Sequence, residues 1–228
     1  WHMDEPIADF ASIPTYILSE FAKKKVSVVL TGEGADEIFG GYRKYMYFKT
    51  LHPYYKATPL ILRQTISSIL GVFNRSLFST RMKEFHSAKS VSDYYLQFIS
   101  FFTKSEKEKL LEDNFLKKIL GRPDIETVEP FFNKGPIINS LMILDFKTWL
   151  PDDILMKVDK TTMAHALEAR VPFLDPNMLS LASKIPYNLK IRFNKEKYIL
   201  RQAMKEKVPR IIYKRKKLPC QETFKKLQ

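Results

Sequence analysis

The sequence predicts an α/β protein, predominantly helical, that carries a fragment of a parallel sheet. Three observations predict it. One alternating β-branched run, Val26 to Leu30, stops at a hydroxyl residue and enters the loop Thr31-Gly32-Glu33-Gly34-Ala35-Asp36-Glu37; open α/β folds place ligands at such strand ends. A helical pattern precedes that run and a short one follows it, the order of a parallel α/β unit. The rest of the chain repeats its apolar residues mostly at helical spacing.

Each element has its own warrant. Ser12-Ile13-Pro14 reads as a helix start, with proline in the first turn. Tyr16, Ile17, Phe21 and Ala22 then recur at helical spacing, and Lys23 to Lys25 close the helix with the sign its dipole favours. Val26 to Leu30 is the strand. A short helix begins near Ala35 and runs into Gly40-Gly41. Pro59 to Val72 is apolar with a helical period. Ser90 is a candidate N-cap for Ser90 to Phe102, whose stripe of Tyr94, Tyr95, Phe98, Phe101 and Phe102 reads as core. Ser105 and Glu108 have capping-box spacing. Gly121 to Pro136 reads as a connection. Asn139 to Leu150 and Leu155 to Ala169 are expected as helices separated by Pro151-Asp152-Asp153. Pro172 and Pro176 bracket a turn, and Asn194 to Lys205 and Pro209 to Tyr213 close the readable part. One strand cannot make a sheet, so either weak strands are hidden or further strands precede Trp1; the abrupt start favours the second view.

Composition bounds the function. The 228 residues suffice for one or two domains with a core, and 45% hydrophobic residues argue for a folded chain. No apolar run approaches the roughly 18 residues that span a membrane, and the N-terminus has no signal-peptide pattern. The single cysteine, Cys220, allows no internal disulfide, which fits a reducing cytoplasm. The formal charge of +13 suits small polyanions or an acidic partner domain; without interleaved stacking aromatics it argues against nucleic acid.

The loop after Leu30 holds the candidate chemistry. Glycine lets backbone approach a phosphate, and N–H groups at a helix start attract anions. Carboxylates beside phosphate repel it unless a cation intervenes, so Glu33, Asp36 and Glu37 suggest Mg²⁺ held by carboxylates and substrate phosphates together. The same residues also fit a plain strand-to-helix turn, with Thr31 or Glu33 as a cap. Glu37 is either a neighbour of the metal site or an acid that favours the helix start. The four histidines form no metal spacing.

The loop resembles the signature Ser/Thr-Gly-Glu-Gly-Ala-Asp-Glu-x-Phe-Gly-Gly-Tyr of the glutamine-hydrolysing asparagine synthetase family. Three further blocks agree in order: Asp4-Glu5-Pro6-Ile7-Ala8-Asp9 with Ile13-Pro14-Thr15-Tyr16; Leu155-Met156-Lys157-Val158-Asp159-Lys160 with Met163-Ala164 and Glu168 to Asp175; and Lys195 to Arg201. The resemblance implies an adenine-nucleotide α-hydrolase-like (PP-loop ATPase) fold, with residues 1–228 as the C-terminal portion of the synthetase domain and 214–228 as a basic tail. It implies ATP and Mg²⁺, and conversion of aspartate to asparagine through a β-aspartyl-adenylate that glutamine-derived ammonia attacks, releasing AMP and pyrophosphate. The family's Ser-Gly-Gly-x-Asp-Ser loop and its glutamine amidotransferase domain are absent from this sequence. That domain is therefore the expected partner within one polypeptide, this chain is expected to be inactive alone, and a homodimer is compatible. Two alternatives stand: a relative that amidates another carboxylate (a peptide, a β-lactam precursor or a cell-surface sugar), or a catalytically incomplete basic scaffold.

The resemblance also implies roles. Glu33 and Lys197 are the catalytic candidates, the first around use of the acyl-adenylate and the second on phosphate. Thr31, Gly32, Gly34 and Lys197 are candidates for ATP and pyrophosphate, and Asp36 for the metal. Glu37, Asp159, Glu5 and Asp9 are weaker candidates at the pocket. Glu168, Arg170 and Asp175 read as structural, through ion pairs and a turn.

Overall fold

A computed structural model describes residues 2–4, 7, 9–73, 86, 88–100, 102, 104–112, 114–115, 124–132, 135–193 and 195–214. Glu5, Phe101, Gly121, Asn194 and nearly all of the basic tail lie outside them. The chain divides into two compact units, residues 1–46 with 142–228, and residues 47–141.

The first unit holds the sheet. Helix α1 (Ser12–Lys23) leads to strand β1 (Val28–Leu30), two residues shorter than the alternating pattern suggests. After the loop come α2 (Ala35–Phe39) and the start of α3 (Arg43–Ala57). The chain returns through the end of α8 (Ile137–Lys147) and a π-helical turn (Leu150–Leu155) that runs straight into α9 (Met156–Met163). Pro151-Asp152-Asp153 therefore continues the helical path instead of breaking it: proline near a helix start has no intrahelical N–H to lose.

The expected helix from Leu155 to Ala169 ends early. At its C-terminus the Ala164 N–H donates to the Lys160 carbonyl and the His165 N–H to the Thr162 carbonyl, Ala166 turns left-handed at φ 53°, and Glu168–Arg170 forms β2. This is a hidden strand, parallel to β1, with Val29 opposite Ala169. Lys23 donates from Nζ to the Ala166 carbonyl at 2.7 Å, which ties the end of α1 to the turn before β2. Beyond β2 come a 3-10 turn (Pro172–Leu174), α10 (Pro176–Lys184), α11 (Tyr187–Lys190), α12 (Tyr198–Met204) and α13 (Arg210–Lys214). Asp175 caps α10 by accepting the Asn177 N–H at 2.9 Å, and Arg170 pairs with Glu168 at 2.7 Å. Both have the structural roles the sequence suggests.

The core beside the loop is formed by Ile38, Phe39 and Ala182, with Phe146, Phe173, Leu179 and Ile199 packed on it. α1 packs on α9, and Ser19 is the buried residue of α1. The outer side of α1 leaves Ile13, Ile17, Leu18 and Phe21 more than half exposed, and Leu30 of β1 is 73% exposed. No helix among the described residues is long and apolar enough to cross a membrane.

The second unit is helical: the rest of α3, α4 (Leu60–Phe73), α5 (Val91–Ile99), α6 (Lys104–Leu110), α7 (Asp124–Phe132) and the start of α8. Ser90 caps α5 as expected, accepting the Asp93 N–H at 3.0 Å. Tyr94 stacks on Phe48 with ring centres 4.5 Å apart, so that part of the aromatic stripe is core, whereas Phe102 is exposed. Two expectations fail here. Ser105 lies inside α6 and not at its cap, and part of the expected connection is α7, whose Tyr95–Phe132 contact gives it something to pack on.

Candidate active site

The Thr31 N–H still donates to the Arg170 carbonyl, at 2.9 Å, so the ladder holds the chain to the mouth of the loop. Gly34 then turns at φ 84°, where an added Cβ would lie 2.3 Å from Leu174 Cδ2; only glycine meets both demands. Gly32 meets nothing within 4 Å of an added Cβ, so its backbone faces open space. Thr31 Oγ1 is buried and has no hydrogen-bond partner among the described residues. A buried, unsatisfied hydroxyl costs roughly 1–3 kcal/mol, and a bound oxygen-rich group would relieve that cost. With five residues, α2 has few peptide dipoles to align, so lysine side chains supply the positive potential here.

Lys197 is one of them. Its Nζ lies 3.1 Å from Asp36 Oδ1, with both side chains 23% exposed. It stands before α12 in the left-handed region, φ 50°, a conformation that costs a non-glycine residue about 1–3 kcal/mol. Its N–H reaches the Gly40 carbonyl at 3.4 Å, which ties α12 to the end of α2. Gly41 makes the close approach possible: an added Cβ would lie 1.8 Å from Asp36 Oδ1 and 2.3 Å from Lys197 Cε.

Lys157 is the other. It is buried on the first turn of α9, and its ammonium bonds the Asp9 carboxylate. Burial works to raise the Asp9 carboxyl, but hydrogen bonds from Lys157 and the Ala11 N–H, with the lysine charge, hold it below the ordinary range. Glu33 is the opposite case. Burial pushes its carboxyl up, Asp36 and Asp9 add to that, and Lys157 and Lys197 oppose it. Burial likewise raises Asp153, on the π-helical turn, against the pull of Lys157. Carboxylates and ammonium groups from the segment before α1, the β1–α2 loop, the π-helical turn, α9 and the start of α12 thus act on one another.

The structure therefore brings Glu33, Asp36, Lys197 and Asp9 together, with Thr31, Gly32 and Gly34 on the same turn. Glu37 stands apart as a buried anchor. Its Oε1 accepts the Tyr42 hydroxyl at 2.6 Å, its Oε2 has no hydrogen-bond partner among the described residues, and burial raises its carboxyl. Nearby Asp145, fully buried, accepts from Lys44 and Tyr45, both at 2.6 Å. Asp159 is exposed, two residues beyond Lys157 and so on another side of the helix. Among the described residues no three His, Cys, Asp or Glu side chains gather as a metal cage. That leaves Asp36 as a single carboxylate, a set that fits Mg²⁺ shared with phosphates and not a fully protein-held ion.

Sequence reasoning assigned no role to Lys157 or Asp153. A signal for Lys157 existed. It occupies the buried stripe of Ile154, Val158 and Thr161, and a lysine at an apolar helical position needs a partner.

The asparagine synthase family model matches residues 1–227. The chain is 38% identical over 218 residues to asparagine synthetase [glutamine-hydrolyzing] 1 of Bacillus subtilis, covering 96% of this chain and 34% of that protein. It is 36% identical over 225 residues to the putative asparagine synthetase [glutamine-hydrolyzing] of Mycobacterium tuberculosis, covering 96% and 33%. It is 25% identical over 236 residues to amidase chry2 of Gibberella zeae, covering 93% and 35%. The chain spans about a third of the length of these relatives. No solved structure matches.

Proposed function

We propose that this chain, which belongs to the asparagine synthase family, carries the amide-forming site of an ATP-dependent synthetase that converts aspartate to asparagine. The observation that carries the reading is the pairing of Lys197 with Asp36 beside the half-buried Glu33, at the end of β1 and next to the unsatisfied Thr31 hydroxyl. A substrate carboxylate oxygen attacks the α-phosphorus of ATP, and the bond to pyrophosphate breaks. Lys197 places an ammonium against the charge that develops on the phosphates. Thr31 and the Gly32 and Gly34 backbone receive phosphate oxygens without adding negative charge. Asp36 would hold Mg²⁺, which neutralises pyrophosphate when bound. Ammonia then attacks the acyl carbon, AMP leaves, and Glu33 takes the proton that nitrogen releases. A carboxyl raised by burial is a better base than an exposed one.

The sheet reading extends the same way. The apolar outer side of α1 and the exposed Leu30 suit further strands of a PP-loop ATPase domain. The Ser-Gly-Gly-x-Asp-Ser loop and an amidotransferase domain that supplies ammonia belong, in this reading, to the same cytoplasmic polypeptide, and the greater length of the relatives supports it. In a polypeptide that includes those parts, Glu33→Ala abolishes glutamine-dependent asparagine formation; full activity in that variant refutes the assignment. A second reading, amidation of another carboxylate, draws on the likeness to amidase chry2. Pyrophosphate release across a panel of carboxylates separates the two.

A further inference from the structure

We propose that Tyr42 is a positioning residue for the phosphate-binding pair: the bond from its hydroxyl to Glu37 sets the Gly40-Gly41 turn against Asp36 and Lys197, and so fixes where the Lys197 ammonium meets phosphate. The proposal rests on the role given to Lys197 and Asp36 above. Two ties cross the turn between α2 and α3. On the backbone, the Asp36 carbonyl accepts the N–H of Gly40 and that of Gly41, the latter at 2.8 Å. One residue further along on each side, Glu37 Oε1 accepts the Tyr42 hydroxyl at 2.6 Å. That length falls in the range of roughly 2.5–2.7 Å for a charge-assisted O–H···O⁻ bond, about twice as strong as a neutral one.

Gly41 sits at both ties. An added Cβ there would come within 1.8 Å of Asp36 Oδ1 and 2.3 Å of Lys197 Cε, so a shift of the turn moves the surface against which that pair rests. The Lys197 N–H also reaches the Gly40 carbonyl at 3.4 Å. Tyr42 is itself held from behind. Its ring meets Tyr45 edge-on with centroids 5.7 Å apart, and Lys44 Nζ lies 5.3 Å from its centre. Both of those residues bond the fully buried Asp145 of α8. The plainer account is that the Tyr42 bond only satisfies two sheltered polar groups. Tyr45 gives the comparison: its hydroxyl bonds Asp145 at the same 2.6 Å, but that bond joins α3 to α8, does not cross the turn, and serves stability alone.

The test uses the full polypeptide and reads three quantities: Kd for Mg²⁺-pyrophosphate by calorimetry, aspartate-dependent pyrophosphate–ATP exchange, and Tm. Tyr42→Phe keeps the ring and removes the bond. It is expected to weaken Mg²⁺-pyrophosphate about tenfold and to lower exchange toward the roughly 10²-fold loss that a misplacement of about 1 Å causes. Tyr45→Phe lowers Tm and leaves affinity and exchange at wild type. Glu37→Gln keeps an acceptor oxygen for the hydroxyl and keeps wild-type affinity. Adding Glu37→Met to Tyr42→Phe removes the stranded carboxylate, which guards against misfolding, and the affinity stays weakened. Wild-type affinity in Tyr42→Phe and in the double variant, while Lys197→Ala binds weakly, overturns this proposal and leaves the role of Lys197 intact. Affinity as weak in Glu37→Gln as in Tyr42→Phe assigns the effect to charge and overturns it too. Wild-type affinity in Lys197→Ala overturns the role of Lys197 and this proposal with it.

Discussion

Gly41→Ala separates placement of the phosphate-binding pair from stability. Gly41 has no left-handed φ, so alanine is conformationally acceptable there. The difficulty is space. The new Cβ would lie 1.8 Å from Asp36 Oδ1, about 1.6 Å inside the 3.4 Å at which ordinary contact begins, and 2.3 Å from Lys197 Cε. Both obstacles are ends of side chains, so they move before the backbone does. Overpacking of this kind costs about 1–3 kcal/mol, and a partly exposed ion pair contributes about 0–1 kcal/mol. The fold therefore survives with a modest drop in Tm. Activity does not: misplacing a reacting group by about 1 Å costs around 10²-fold. The assay is aspartate-dependent exchange of labelled pyrophosphate into ATP by the full polypeptide, with thermal unfolding as control. Wild-type exchange in Gly41→Ala would refute the argument that the Asp36–Lys197 geometry matters.

Other perturbations follow the same logic. Gly34→Ala meets both φ 84° and Leu174, and is expected to cost about 2–5 kcal/mol in unfolding free energy from strain plus overpacking; adding Leu174→Ala recovers only the overpacking part. Asp145→Ala strands the Lys44 ammonium and the Tyr45 hydroxyl, and denaturant unfolding should report a loss of about 3–5 kcal/mol. The folded Glu33 carboxyl is raised above its ordinary 4.5, so the native state binds more protons than the unfolded one in the window above that value, and stability falls as pH rises through it. Glu33→Gln should therefore raise Tm at neutral pH, and the gain should shrink as pH falls toward 4.5.

What the sequence made legible follows from how loudly each residue's physics speaks. Val26 to Leu30 announced a strand by branching and by the loop that ends it, and Val28–Leu30 forms it. Glu168-Ala169-Arg170 did not, because two charges in three residues hide a strand whose warrant is its partner, β1. Glu33 and Asp36 stood out as acids between glycines. Lys197 is one of 38 basic residues and emerged only through the family resemblance; its left-handed backbone and its contact with Asp36 are tertiary facts. Glu37 read as either a neighbour of the metal site or an acid that favours the helix start, and one step along α2 turns it toward Tyr42 and Asp145. Lys157 was missed because its partner, Asp9, is remote in sequence.

The most direct test is pyrophosphate–ATP exchange in the full polypeptide supplied with ATP, Mg²⁺ and aspartate but no nitrogen donor. Exchange is expected only when aspartate is present, lost by about 10²–10³ in Lys197→Ala, and retained in Glu33→Gln, which then forms no asparagine when ammonia is added. Undiminished exchange in Lys197→Ala, or asparagine formation by Glu33→Gln at the wild-type rate, would contradict the division of labour assigned to this loop.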